Sequence, residues 1–153
     1  MVIDGAKTGH DDIAARIRPL MQSANVDRIY YCHGFASHFD GNKDKVCALS
    51  AAAIVDGNTV DYTLPPKEVF EAFQEAMSAS KNYLVVGTSM GGFFAAWLGS
   101  ELGFPYVAIN PAVTPSHSLR KHIGERATHY GTRYALREET VEAYNGLSLI
   151  TLR

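Results

Sequence analysis

Six short residues in a row, Gly87-Thr-Ser-Met-Gly-Gly92, leave this sequence few folds to choose from. The apolar run 83–86 before them reads as a buried strand, and 89–102 after them reads as a helix. A strand that turns directly into a helix at a Gly-x-Ser-x-Gly knot forces the central residue into a strained backbone conformation and leaves its hydroxyl exposed at the strand's end. Glycines two before and two after the serine are needed because side chains there would collide with neighbouring backbone. The competing reading is a tight strand-to-helix turn with no chemistry. Phosphate-loop readings fail: Phe93 stands where a Walker loop needs lysine, and Gly-x-Gly-x-x-Gly spacing is absent.

The rest of the chain repeats the strand and helix alternation. Residues 11–22 place Ile13, Ile17, Leu20 and Met21 at helical spacing behind Asp11 and Asp12, with Pro19 limiting or kinking that helix. Residues 27–32 read as a core strand closed by His33-Gly34, 45–53 as a short helix, and 54–55 as a second strand. A further strand candidate at 59–62 precedes the break at Pro65-Pro66. Residues 66–77 form the clearest amphipathic helix, with Val69, Phe70, Phe73 and Met77 on one face. Strands follow at 106–109 and 147–152. Alternating helices and nearly continuous apolar strands predict a single domain, a three-layer α/β/α fold around a mainly parallel sheet. Residues 114–146 are more polar and hold three of the six histidines; they read as a cap or lid, or as irregular surface helices.

Composition removes whole classes of function. Fourteen basic residues against sixteen acidic ones give a net charge of −2, which offers no broad attraction to nucleic acid or anionic lipid. No apolar run approaches the ~20 residues that span a bilayer, and the first residues lack the basic and apolar segments of a leader, so a cytoplasmic location is expected. Cys32 and Cys47, fifteen positions apart, suit neither a zinc site nor a redox motif and are expected to be reduced, packed thiols. No metal or other cofactor is expected. The stretch Asp40 to Asp44 starts like a calcium loop, but Lys45 and Ala51 stand where its glycine and glutamate belong.

The candidate chemistry centres on Ser89 as a nucleophile. The following helix N-terminus makes the Met90 N–H an oxyanion donor, and the loop after the first core strand offers the Phe35 N–H as a second. His33, Gly34, Gly87 and Gly91 line the expected substrate site, His33 chiefly orienting its loop. His117, His122 and His129 are candidate bases that compete with an ordinary surface role, His117 and His129 ahead of His122. Arg120, Lys121 and Arg126 read as a solvated basic face, and Phe93, Phe94 and Trp97 as core.

Three segments, Tyr31-Cys-His-Gly-Phe35, Val86-Gly-Thr-Ser-Met-Gly-Gly-Phe-Phe-Ala-Ala-Trp97 and Asn110-Pro-Ala-Val-Thr-Pro115, resemble the small YqiA/YcfP-type esterases of the α/β-hydrolase superfamily. The resemblance covers about residues 28 to 135 and leaves the first 27 outside as an extra N-terminal helical segment. It implies hydrolysis of a small acyl ester or thioester by Ser89, with oxyanion donors at Phe35 and Met90. It also implies an acid and then a histidine after later strands. The sequence ends at Arg153, where the acid-bearing loop is expected, so the last strand and helix are expected to be missing. An open sheet edge would then favour pairing with a second copy of the chain. A non-catalytic binding module that has lost the triad Asp and His is the alternative reading.

Overall fold

In the computed structural model, residues 1–5 and 10–152 are described. Residues 6–9, part of the run read for a leader, Arg153, and the side chain of Asp11 at the expected helix start lie outside the described residues.

The elements run β1 (Val2–Ile3), α1 (His10–Ala24), β2 (Arg28–Cys32), α2 (Asp44–Ser50), β3 (Ile54–Gly57), α3 (Pro66–Met77), β4 (Tyr83–Thr88), α4 (Met90–Leu102), β5 (Tyr106–Ile109) and α5 (Pro115–Ser118). A short 3-10 helix (Arg120–His122), the strands β6 (Gly124–Ala127) and β7 (Arg133–Leu136), and α6 (Glu138–Glu142) follow. Strands β1 to β5 form one parallel sheet in the order β1-β5-β4-β2-β3, and β6 and β7 pair separately as an antiparallel hairpin.

Side chains alternate across a strand, so the sheet sorts them into two cores. Tyr30, Cys32, Tyr83 and Val85 pack with Val69, Phe73 and Met77 of α3 and with Phe93, Phe94 and Leu98 of α4. Ile29, Tyr31, Leu84 and Val86 pack on the other face with Ile13, Ile17 and Met21 of α1 and Val46 and Leu49 of α2. Helices thus cover both faces, the three-layer arrangement the strand pattern predicts. At the lower edge, Arg28 holds Asp56 through two hydrogen bonds of 3.0 and 2.9 Å, and the Tyr83 hydroxyl donates to the same carboxylate at 2.7 Å. Those contacts tie the starts of β2 and β4 to β3.

Several expectations are corrected. Residues 147–152 form no strand, 149–152 being turn, because Ser148 and Thr151 hydrogen-bond each other's backbone and side chains and close the chain locally. Leu147, Leu149 and Leu152 still dock on the α4 side of the core. The outer edge of β5 is not open: Ala108 N–H donates to Met1 O at 2.8 Å and Asn110 N–H to Ile3 O at 2.9 Å, which makes β1 the edge strand. Residues 59–62 make no strand, although Val60 and Tyr62 are buried. The second helix stops at Ser50, and α1 continues through Pro19 to Ala24. Cys32 is buried as expected, but Cys47 lies on the solvent side of α2 and is exposed.

Candidate active site

The sheet's C-terminal edge collects the site. Glycine is required at two positions of the turn after β4: a Cβ on Gly87 would overlap the Gly91 carbonyl, and one on Gly91 would overlap the carbonyls of Cys32 and His33. With those approaches made, Ser89 sits at φ 56° and ψ −118°, a backbone conformation that L-residues rarely adopt. It is held there from both sides of its peptide. The Ser89 N–H donates to Ile109 O at 3.0 Å, and its carbonyl accepts from Gly92, Phe93 and Ala112 at 3.0 to 3.2 Å. The Ser89 side chain is exposed and makes no hydrogen bond to a described residue.

Ser89 is one of four non-glycine residues with positive φ among the described residues, and two of the others, Ala36 (58°) and Asn110 (45°), lie beyond the ends of the flanking strands β2 and β5. Strain of about 1 kcal/mol or more at each persists only where surroundings over-determine it. At Asn110 the restraint is a hydrogen bond from the Gly5 N–H to Oδ1 at 2.9 Å. At Ala36 it is the His129 N–H, which donates to the Ala36 carbonyl at 2.8 Å.

A cavity of about 250 Å³ opens above Ser89, lined by Phe35, Met90, Asn110, Lys121 and His122 among others. Met90 opens α4, so its N–H has no carbonyl one turn back within the helix. The Phe35 ring stacks on His122 with centroids 4.8 Å apart and meets Tyr134 of β7 edge-on at 5.2 Å. The His122 imidazole makes no hydrogen bond or ion pair with a described residue, so no carboxylate orients it there. Its pKa is lowered, first by burial and then by the nearby cations Lys121 and Arg126 and by His129. The ring is therefore neutral at pH 7, the state in which it can accept a proton.

His33 does something else. Its Nε2 accepts the Val60 N–H at 3.0 Å, which leaves Nδ1 as the protonated nitrogen donating to the Gly34 carbonyl at 2.8 Å. The Tyr62 hydroxyl donates to the His33 carbonyl at 2.6 Å. Burial pushes the imidazole pKa down to about 4. With both ring nitrogens engaged, His33 clamps the loop that carries Phe35. Gly34, Gly87 and Gly91 stand behind the cavity as frame. Of the remaining histidines, His117 is exposed on α5 and His129 is exposed in the hairpin turn.

The sequence pattern did not single out Asn110 or Lys121 as lining residues. An Asn-Pro pair after a strand is a signal for Asn110, since asparagine tolerates the left-handed region. A second cleft of about 570 Å³ adjoins the first at Phe35, between the hairpin and residues 59–63. Among the described residues, no group of three or more His, Cys, Asp or Glu could hold a metal ion, and no helix is long and apolar enough to cross a membrane.

Comparison with known proteins places this architecture. A UPF0227 protein of Yersinia enterocolitica is 35% identical over 100 residues, covering 60% of this chain and 54% of the relative. One from Yersinia pseudotuberculosis is 32% identical over 101 residues, with the same coverage. The chain thus spans about half the length of these curated relatives. The model of the uncharacterised family UPF0227 matches residues 28–153, from the first core strand onward, and the chain belongs to that family.

Proposed function

We propose that this protein is a serine hydrolase of small acyl esters or thioesters, with Ser89 as nucleophile and His122 as its base. The observation that carries the reading is that two left-handed residues, Ser89 and Asn110, at the ends of adjacent strands line one small cavity together with His122, while a third, Ala36, follows Phe35 of the same lining. Such strain is costly and collects where geometry must be fixed in advance.

The chemistry follows from those groups. Ser89 Oγ attacks the acyl carbonyl as its proton passes to His122, and the carbonyl oxygen becomes an oxyanion. The Met90 and Phe35 N–H groups stabilise that charge without reorganising. Collapse expels the alcohol or thiol, which takes the proton from His122. Water then repeats the sequence on the acyl-enzyme and regenerates Ser89. Without a carboxylate behind His122, turnover is expected to be slow compared with a full triad.

The test is release of 4-nitrophenol from its acetate and butyrate esters. Turnover that disappears with Ser89→Ala supports the reading; turnover equal in wild type and variant overturns it.

A further inference from the structure

Of Arg120, Lys121 and Arg126, which the sequence suggests are merely a solvated basic face, two stand near the Ser89 cavity. Lys121 lines the Ser89 cavity itself. Arg126 pairs with Tyr134 across the β6–β7 hairpin, and directly paired residues share a face of a sheet. The Tyr134 ring meets Phe35 edge-on, so Arg126 belongs to the face turned toward Phe35 and His122. By the same alternation Glu125 belongs to the opposite face. Neither Lys121 nor Arg126 makes an ion pair or hydrogen bond with a described residue. No Asp or Glu lines the cavity.

The one acid lining the adjoining cleft is Asp61. Its Oδ1 accepts the Thr63 N–H at 2.9 Å and the Thr63 hydroxyl at 2.5 Å, and it pairs with neither Lys121 nor Arg126. Two cations without an ion-pair partner among the described residues thus stand beside a base, in a chain whose net charge is −2. This arrangement works against His122, whose basicity both cations reduce. It makes sense if the missing negative charge arrives with the ligand. An anion there would neutralise the pair and restore basicity to His122 only when substrate is bound.

We infer that the substrate carries an anionic group, a carboxylate or phosphate, close to the scissile carbonyl, and that Lys121 and Arg126 hold it. The inference rests on the hydrolase reading for the reaction, but not for the binding. An alternative role for the cations is to stabilise the oxyanion, which would accelerate neutral and anionic esters alike.

The experiment compares kcat/KM for 4-nitrophenyl acetate, mono-4-nitrophenyl glutarate and 4-acetoxybenzoate, each divided by its rate with hydroxide. The first is neutral, the second carries its charge on the acyl side and the third on the leaving group. Wild type is expected to favour one charged ester by about tenfold or more, and about 0.5 M NaCl should shrink that preference. A Lys121→Gln/Arg126→Gln double variant should lose it. No preference in wild type, or a preference that survives in the double variant, overturns the inference. So does a parallel fall for all three esters, which would assign the cations to the oxyanion.

A second arm needs no turnover. Monomethyl glutarate added to Ser89→Ala should raise the His122 pKa followed by its imidazole NMR signals, with no such rise in the double variant made on the same background. No rise in Ser89→Ala overturns the anion site. Failure of wild type to cleave any ester, with the rise intact, removes the hydrolase reading and leaves the anion site standing.

Discussion

The turn that carries Ser89 and the β6–β7 hairpin meet at Phe35, yet different forces hold them. The turn is fixed by contact: Gly87 lies against Gly91, Gly91 against the end of β2, and a Cβ on Gly92 would come within 3.1 Å of Pro111. Its surroundings are almost wholly buried. The hairpin is the reverse. All four residues of β6 are exposed, and β6 hydrogen-bonds only to β7 in a two-stranded sheet apart from the main one. An isolated pair of strands is marginal in water. Its contacts with the body include the Tyr134 ring on Phe35 and the His129 N–H on Ala36. The proposed nucleophile is thus set rigidly, while one proposed oxyanion donor and the proposed base are placed by softer packing. In such a molecule, fold and site geometry should be separable by mutation.

The largest effect is expected where contact rules. Gly91→Ala should destabilise the fold by more than about 4 kcal/mol or prevent folding, because two carbonyls occupy the space of the new methyl. Denaturant melts of the purified variant check this. A variant of wild-type stability would show that the turn relaxes freely and is not fixed by contact. His122→Gln should leave the fold intact and lower kcat by about 10²–10⁴-fold. In wild type, the rate should rise with pH through a value below the usual imidazole range and be level near neutrality, since the neutral ring is the active form. Burial lowers that pKa first, ahead of the cations.

The clamp between the two regions has its own pH signature. The His33 pKa is about 4 in the folded protein against 6.5 as the unperturbed value. A depressed pKa contributes stability that is fully present above the unfolded value and is lost as pH falls from about 6.5 through about 4, here about 3 kcal/mol. Urea melts across that range should show the loss, and His33→Asn should flatten this part of the profile. The smallest effect belongs to the hairpin. Tyr134→Ala removes one aromatic contact, worth about 0.5–1.5 kcal/mol beyond the area buried. It should lower kcat more than it lowers the melting temperature, by loosening Phe35 and His122. Equal stability and activity would show that the hairpin does not steady the site.

The same contrast explains what could be read without coordinates. The turn at Ser89 was legible because its glycine spacing lies within six residues, and the three layers were legible because buried strands are continuous runs such as Tyr83-Leu-Val-Val86. Strand β1 was not, since Val2 and Ile3 are too few to show a period and gain strand character only by pairing with Ala108 and Ile109. Strand β6, Gly-Glu-Arg-Ala, carries no apolar alternation because no core lies beneath it. The run Leu147-Ser-Leu-Ile-Thr-Leu152 has the composition of a strand, but its serine and threonine satisfy backbone groups locally. Among the histidines, sequence alone puts His117 and His129 ahead of His122 as candidate bases. What separates His122 is stacking on Phe35, a residue 87 positions away in the chain.

The most direct test of an activated Ser89 is the intact mass of the purified 16.7 kDa chain after exposure to a fluorophosphonate, with Ser89→Ala and His122→Gln in parallel. A single adduct is expected on wild type, absent from Ser89→Ala and much slower to form on His122→Gln. An unmodified wild type, or an adduct that forms equally on Ser89→Ala, would contradict a serine hydrolase built on this turn.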